Sequence, residues 1–330
     1  MSTPSIEEVA EAAGVHKSTV SRAFSRPEAV KPQTRDHVLR VAASMGYTMN
    51  PVAQALRTKT STLVPLIVPD ITNPYFAELA KAMTAAAEAR GFQLVLCVTG
   101  DDAAATAEYL QAMRALYAPF AILAPFARVD PAAFVPSGFG NRLVVIDRVE
   151  SDHHISTVSL DSEAGIRLAF DHLFALGHKE IAYVSGIAGT HTAADRKKAY
   201  RTLIAEHGLR HVEFDSGRGG EAGRRAADEI SGMDRRPSAV ICANDMVAFG
   251  LISGLNSHGI TVPGDISVIG FDGLPLGAHS NPPLTSVQQP IGEMGRLAIS
   301  LAERASNDAA VEHIVLQPQL LERESTGAPR

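Results

Sequence analysis

Apolar residues recur every three or four positions in three short segments near the start of the chain, residues 6–13, 17–24 and 32–45. This spacing predicts three amphipathic helices. Ser5, followed three residues later by Glu8, has the spacing of a capping box, and Gly14 suits the positive φ of a tight turn between the first two helices. The pattern predicts a helix-turn-helix with a small three-helix core.

The second helix separates its polar and apolar side chains. Val20 and Phe24 stand four residues apart on the buried face, while two cations and two hydroxyls face outward, at Lys17, Ser18, Ser21 and Arg22. Cations and short hydroxyl donors suit the phosphates and base edges of a DNA major groove. The pattern alone leaves a second interpretation open, a solvated helical face without a partner.

A short helix is predicted after this head, in the stretch "MNPVAQALRTKTST". Asn50 is a favourable N-cap and Pro51 suits the first helical position. The helical pattern ends after about two turns, and isolated helices of fewer than about 12 residues are marginal in water. A chance helical pattern in a linker is the alternative.

From Thr62 onward, short apolar runs alternate with amphipathic helices. A first series contains "TLVPLIV", "FQLVLCV", "FAILA" and "LVVID", and a second contains "STVSL", "EIAYVSG", "SAVICA" and "ISVIGF". Continuous apolar strands separated by helices are typical of parallel sheets covered on both faces. We therefore predict a small all-α head and an α/β core of two doubly wound parallel-sheet subdomains.

Composition and charge add constraints. The chain has 330 residues, 45 % of them hydrophobic, which suits a soluble globular protein. Residues 1–60 carry eight Lys and Arg against five Asp and Glu, whereas residues 61–330 carry 22 against 31. A basic head on an acidic body indicates that the head alone meets a polyanion such as nucleic acid.

Several classes of site are not expected. Cys97 and Cys242 each lie in an apolar run, as core residues of a reducing compartment do. No export signal or run of 18 apolar residues is found, so we expect a cytoplasmic protein without membrane contact. The histidines lack metal-ligand spacing, and the glycine-rich stretch "SGRGGEA" lacks the acidic residue of a dinucleotide site. We expect no metal, no cofactor and no catalytic residue.

Two motifs at matching separation, "VAEAAGVHKSTVSRAF" and "GYTMNPVAQALRTKTS", resemble the LacI-type family of bacterial transcription regulators. The resemblance continues through "VPDITNPYFAEL", "HLFALGHKEIAYVSG", "CANDMVAFG", "DISVIGFDG" and "PPLTSVQQP". It implies a homodimeric repressor that binds double-stranded operator DNA, with a periplasmic-binding-protein-like core for a small effector, a carbohydrate or related metabolite being favoured. It also implies that the chain crosses between the lobes three times, with a helix near 292–305 returning to the first.

The implied organisation is a helix-turn-helix domain at 1–48, a hinge helix and linker at 49–60, and a core at 61–330. The core divides into subdomain one, about 61–157 and 290–317, and subdomain two, about 158–289 and 318–330. By the same resemblance, the hinge helix forms when two copies pair over DNA, with Leu56 wedged between base steps of the minor groove.

Candidate site residues follow from the pattern and the resemblance together. Those expected to contact DNA are Lys17, Ser18, Thr19, Ser21, Arg22, Ala53 and Leu56. Those expected to contact the effector, mostly at strand ends, are Tyr75, Phe76, Asp147, Arg196, Asn244 and Asp272. Structural alternatives remain open for the last group: Asp147 could pair with Arg148, and Asn244 could serve only as the N-cap of its helix.

The chain also departs from the family pattern. His16 and Lys31 stand where a Ser or Thr helix cap is usual, and a single acid, Asp272, follows "ISVIGF" where paired acids are common. The adjacent cations at 196–198 suggest an acidic effector as one hypothesis. Two rival functions stay open at this stage: a solute-binding or enzymatic protein with a helical cap, and a regulator controlled by a partner protein.

Overall fold

The computed structural model describes residues 4–49, 51–100, 102–124, 137–146, 155–186, 191–215, 217, 219–306 and 310–330, without the side chains of residues 51–53 and 191. The chain divides into two compact units, residues 1–61 and 62–330.

Three helices form the first part of unit one: α1 (Ile6–Ala12), α2 (Lys17–Ser25) and α3 (Pro32–Met45). The predicted capping box is confirmed, because the Ser5 hydroxyl accepts from the Glu8 amide while the Glu8 carboxylate accepts from the Ser5 amide. Gly14, at φ +64°, turns the chain between α1 and α2. The three helices enclose a core of small residues, Val9, Ala10, Ala13, Val20, Ala23, Val38 and Ala42.

The predicted hinge helix is present as α4 (Pro51–Thr58). Its expected N-cap, Asn50, lies outside the described residues. The resemblance implies that this helix forms when two copies pair over DNA, and that dependence stays a prediction. Two features stabilise the helix: Ala55 is buried, and Arg57 donates to the hydroxyl of Ser21 on α2.

The first sheet of unit two has the strand order β11-β5-β4-β3-β1-β2, and every pair is parallel. Its strands are β1 (Leu63–Val68), β2 (Gln93–Val98), β3 (Ala121–Leu123), β4 (Leu143–Ile146), β5 (Ser156–Leu160) and β11 (His313–Leu316). Its helices are α5 (Pro74–Glu88), α6 (Ala103–Ala115) and α11 (Ile291–Ala305). The buried residues of β1, β3 and β4 supply the core of this subdomain.

The second sheet has the order β12-β10-β9-β8-β6-β7, with only the β10–β12 pair antiparallel. Its strands are β6 (Ile181–Val184), β7 (Glu213–Phe214), β8 (Ala239–Cys242), β9 (Ser267–Asp272), β10 (Thr285–Gln288) and β12 (Gln319–Leu321). Its helices are α7 (Ser162–Ala175), α8 (His191–Glu206), α9 (Gly219–Ser231) and α10 (Asp245–Ser257).

Glycines fix the position of α10 against α9. A Cβ atom at Gly250 would lie 1.8 Å from the carbonyl oxygen of Gly220, so the two backbones approach more closely than any side chain allows. The N-terminus of α10, which lies beside the candidate effector residues, is therefore set by backbone packing.

The chain passes between the two sheets three times: after β5, after β10 and between β11 and β12. The helix expected near 292–305 is α11, and it packs on α5, β4 and β5 of the first sheet, as predicted. One strand was assigned wrongly. Ser156–Leu160 was placed at the start of the second series, but it pairs with β4 and β11 in the first sheet. Apolar periodicity predicts a strand without specifying which sheet it joins.

No helix among those described combines the length and the apolar character needed to cross a bilayer.

Candidate functional site

The exposed face of α2 carries the predicted cations. Lys17 and Arg22 are exposed, whereas Ser18, Thr19 and Ser21 are partly buried. Lys17 lies 3.6 Å from the carboxylate of Glu7, at the exposed surface where such ion pairs contribute little stability. The Nζ group of Lys17 therefore remains available for a phosphate.

His16 takes the place of the usual hydroxyl cap of α2. Its Nδ1 atom accepts from the backbone amide of Ser18 at 3.3 Å and lies 2.9 Å from the Ser18 hydroxyl. Arg22 bends back along the same helix, donating from Nε to the Ser18 carbonyl at 3.1 Å and from Nη2 to the Ser18 hydroxyl at 3.2 Å. At α3, Lys31 supplies no side-chain cap, and Pro32 occupies the first helical position.

Of the two hinge residues predicted to contact DNA, Leu56 is 60 % exposed. This exposure leaves the Leu56 side chain accessible to DNA, but single exposed apolar residues are common on protein surfaces, so its contact with DNA stays a prediction. The side chain of Ala53 lies outside the described atoms, so its expected contact stays a prediction.

Three of the effector candidates, Arg196, Asn244 and Asp272, meet at the carboxyl ends of β8 and β9. Arg196, on α8, is 7 % exposed; its Nη1 atom donates to the carbonyl of Ala243 at 2.7 Å, and its guanidinium lies 3.5 Å from the centre of the Phe271 ring. The Nε atom finds no hydrogen-bond partner among the residues that the structure describes. A buried donor without an acceptor is costly, so this N–H is suited to a bound ligand.

Asp272 ends β9 in an unusual conformation. Its φ of +126° lies in a region that residues other than glycine rarely adopt, and its side chain is 3 % exposed. The carboxylate accepts from Nε2 of Gln289 at 2.7 Å and from the backbone amide of Asp245, and it interacts favourably with Arg196. These contacts hold the carboxylate at the strand end where a ligand hydroxyl could reach it.

A second buried carboxylate, Asp245, was missed by the sequence analysis. It is the first residue of α10 and is fully buried; its Oδ2 accepts from the Leu274 amide at 2.7 Å and its Oδ1 from the Ser286 hydroxyl at 2.5 Å. The only sequence signal was its position after the apolar strand "AVICA", directly beside Asn244. An acid in the first turn of a helix is usually explained by the helix dipole alone, which hides such a role.

The remaining effector candidates occupy mixed environments. Asn244 is the N-cap of α10, accepting from the Val247 amide at 2.9 Å, so the structural alternative applies to its oxygen. Phe76 is buried in the core of the first subdomain, and Tyr75 is partly buried against it with the ring centres 5.2 Å apart. Asp147 lies outside the described residues. Contact of these residues with an effector stays a prediction.

The structure accounts for part of the basic run at 196–198. Lys197 pairs with Glu213 and, at 2.6 Å, with Asp215, and these lysine contacts hold the pKa of Asp215 below its usual range. Lys198 is exposed. Arg196 is therefore the one cation of this run that lies buried at the strand ends.

A cavity of about 310 Å³ lies beside the Asp272 turn. Gly273 and Gln289 line it from the second subdomain and the crossover, while Glu78 and Lys81 line it from α5. The cavity has walls from both subdomains, but the residues that line it include none of the predicted effector contacts. Among the described residues, no three His, Cys, Asp or Glu side chains converge as metal ligands.

Comparison with known proteins gives two family matches. Residues 5–50 match the model for bacterial regulatory proteins of the lacI family, and residues 170–326 match the model for the periplasmic binding protein-like domain. The two models cover the helical head and most of the second subdomain.

Individual relatives extend the similarity over the whole chain. The chain is 33 % identical to the HTH-type transcriptional regulator DegA of Bacillus subtilis (strain 168), with 97 % of each chain covered. The lac repressor dimer bound to operator and the anti-inducer ONPF has a TM-score of 0.88 at 24 % identity, covering 99 % of this chain and 100 % of that one. The complex of the transcriptional regulator CelR with cellobiose has a TM-score of 0.72 at 27 % identity, covering 98 % and 99 %.

The two buried carboxylates generate a prediction about pH. Burial raises the pKa of Asp245 to about 7 and that of Asp272 to about 6, and repulsion from Asp272 is the second cause for Asp245. An unfolded Asp titrates near pH ~3.9, so the folded state binds more protons between about pH 4 and 7 and loses stability as the pH rises through that window. Asp245→Asn removes the contribution of Asp245 to this loss of folding stability. The variant should therefore gain stability relative to wild type as the pH rises from 4.5 to 7.5.

The expected gain is about 1.4 kcal/mol for each unit by which folding raises the pKa, measured by urea unfolding at four pH values. Asp102→Asn is the matched control, since Asp102 is an exposed N-cap and Asn caps equally well. A constant difference in stability between Asp245→Asn and wild type across this range would show that Asp245 is ionised throughout.

Proposed function

The chain belongs to the LacI family of bacterial regulatory proteins, and we propose that it is a homodimeric repressor. A neutral, hydroxyl-rich effector either releases it from its operator or strengthens its binding there. The chain is a DNA-binding transcription regulator with an effector-binding core, and not an enzyme. Family membership rules out the alternative of an enzyme or solute-binding protein with a helical cap. The effector site is supported by the buried Nε of Arg196, at the strand ends of the second sheet, which has no hydrogen-bond partner within the described part of the chain.

The charge balance at this site favours a neutral ligand. Arg196 faces the carboxylate of Asp272, and Lys197 is neutralised by Glu213 and Asp215, so no surplus positive charge remains among these residues. An acidic effector would bring an additional negative charge beside two buried carboxylates, which is unfavourable at low dielectric. Sugar hydroxyls suit the site because each can donate to a carboxylate and accept from a guanidinium. CelR, which is similar over nearly the whole chain, binds cellobiose.

The DNA interface is assigned to the exposed face of α2 and to the hinge helix. Lys17 and Arg22 supply charge for phosphates and base edges, and the exposed Leu56 supplies an apolar wedge. Ser18, Thr19, Ser21 and Ala53 complete the proposed set, which rests on the family's pattern matched position by position.

Dimerisation is supported by an apolar edge of the first subdomain. Ile71, Leu96 and Val98 are each about two-fifths exposed, and the last two lie on β2, an edge strand of the first sheet. An uncovered apolar edge strand is a ready site for association. The lac repressor, which shares this fold, is a dimer in its operator complex. We assign this edge to a second copy of the chain.

A thermal-shift screen tests the effector assignment. Cellobiose, ribose and glucose serve as neutral probes, with glucuronate and glucose 6-phosphate as acidic ones, all at millimolar concentration. A ligand at 100 times its Kd stabilises the folded state by about 2.7 kcal/mol, which for a core of this size raises Tm by about 5 °C. Arg196→Met, which keeps a side chain beside Phe271 but removes the donors, should abolish the shift. Lys198→Met is the exposed control and should keep it.

Shifts produced only by the acidic probes would contradict the neutral-ligand argument. A thermal shift that persists in Arg196→Met would mean that the effector binds elsewhere in the protein. Silence across the panel would favour control by a partner protein.

The hinge assignment predicts a loss of affinity in Leu56→Ala. Removing the wedge should weaken binding to a duplex selected from a random 20-bp pool by about tenfold or more, because an inserted side chain offsets a few kcal/mol of unstacking. Leu116→Ala removes an equally apolar, exposed side chain from the core and should bind as wild type does. Fluorescence anisotropy gives both affinities. Equal affinities of wild type and Leu56→Ala would remove Leu56 from the interface.

The dimer assignment predicts that Leu96→Asp with Val98→Asp yields monomers in sedimentation velocity. Charges on an apolar edge oppose its burial, and a monomer loses the second head, so operator affinity should fall by about 100-fold or more. Val315→Asp is the matched control on β11, the opposite edge of the same sheet, where Val315 is 56 % exposed. A double variant that remains dimeric would place the interface on another surface.

A further inference from the structure

The imidazole of His16 contacts Ser18 at two points. The backbone amide of Ser18 can only donate, so Nδ1 of His16, which accepts from it, carries a lone pair. An Nδ1 that accepts from this amide can also accept from the Ser18 hydroxyl, which lies 2.9 Å away.

Ser18 in turn contacts Arg22. With its proton directed toward His16, the Ser18 oxygen is free to accept, and Nη2 of Arg22 donates to it at 3.2 Å. Nε of Arg22 donates to the carbonyl of the same residue at 3.1 Å. Two nitrogens of the guanidinium are thus held by Ser18, and a continuous chain of contacts runs from Arg22 through Ser18 to His16.

These contacts determine which N–H groups of Arg22 are available to DNA. A guanidinium held at Nε and Nη2 keeps both N–H groups of Nη1 and the second N–H of Nη2 free, in a fixed plane. That is a two-donor edge, which matches the paired acceptors O6 and N7 of guanine in the major groove. An arginine already held in one rotamer loses less conformational freedom on binding than a mobile one.

We propose that His16 is a specificity-determining residue, which acts through Ser18 to hold the Arg22 guanidinium in the orientation that recognises a base with two adjacent acceptors. Ser18 is then a positioning residue and not a direct donor to DNA, because its proton is committed to His16. This inference rests on the proposed DNA interface and adds to it a residue that family resemblance treats only as a departure from the usual cap.

The experiment uses the full-length protein and two probes. One is a duplex selected by wild type from a random 20-bp pool, and the other is sheared calf-thymus DNA. Arg22→Lys, which keeps the charge without the planar fork, identifies the base pair that Arg22 recognises as the position where base preference relaxes. Failure of wild type to select any duplex would contradict the DNA interface itself, separately from the role of His16.

Ser18→Ala is the decisive variant. It removes the hydroxyl while the backbone amide at position 18 still donates to His16, so the helix cap is retained. We expect an affinity about tenfold lower for the selected duplex, relaxed preference at the base pair that Arg22→Lys identifies, and affinity for calf-thymus DNA within about twofold of wild type. Ser44→Ala, which removes an exposed hydroxyl from α3, is the control and should leave all three unchanged.

A double-variant cycle tests the part played by His16. If His16 acts through Ser18, then His16→Ala should relax the same base pair, and His16→Ala with Ser18→Ala should lose no more affinity than the larger single loss. His16→Asn, which can accept from both the amide and the hydroxyl of Ser18, should restore the preference. Losses that multiply to about 100-fold, or relaxation at a base pair that Arg22 does not recognise, would overturn the proposal.

Discussion

Two buried carboxylates hold together the part of the core from which the chain leaves the second sheet. The Asp272 carboxylate accepts from the backbone amide of Asp245, while the Asp245 carboxylate accepts from the amide of Leu274, just beyond Asp272. Each acid therefore secures the backbone beside the other. The cost is large, because both are removed from water with one buried guanidinium, Arg196, nearby. Such an arrangement persists where it positions groups for function.

The same arrangement reaches the crossover to the first subdomain. Gln289 donates its side-chain amide to the Asp272 carboxylate and its backbone amide to the Asp272 carbonyl, and α11 begins two residues later. α11 packs on α5, β4 and β5 of the first sheet. A ligand that changes the hydrogen bonds of Asp272 therefore acts on the residue to which this crossover is bonded through Gln289.

The features predicted most accurately from the sequence are those that local chemistry determines, such as the limits of helices. The limits of α2 and α3 follow from Gly14, Pro32 and the apolar spacing, and the structure has both helices within one residue of the predicted bounds. Sheet membership of Ser156–Leu160 could not be predicted, since a strand that is buried along its whole length fits the interior of either sheet. Asp245 was missed for a related reason: the burial of a carboxylate at a helix start depends on the strand ends that surround it.

The basic run at 196–198 shows how tertiary contacts alter a charge pattern. In sequence, three adjacent cations suggest an acidic ligand. In the structure, the side chains of Arg196 and Lys197 have separate environments: the first is buried over Phe271, and the second is paired with Glu213 and Asp215. The same separation applies to the head, where Ser18 and Ser21 look like equivalent outward hydroxyls in sequence. Each of them instead accepts from an arginine, Arg22 and Arg57 respectively. In both places, hydrogen-bond partners within the protein decide which polar groups remain available to a ligand. The residues that supply those partners can therefore alter binding without contacting the ligand.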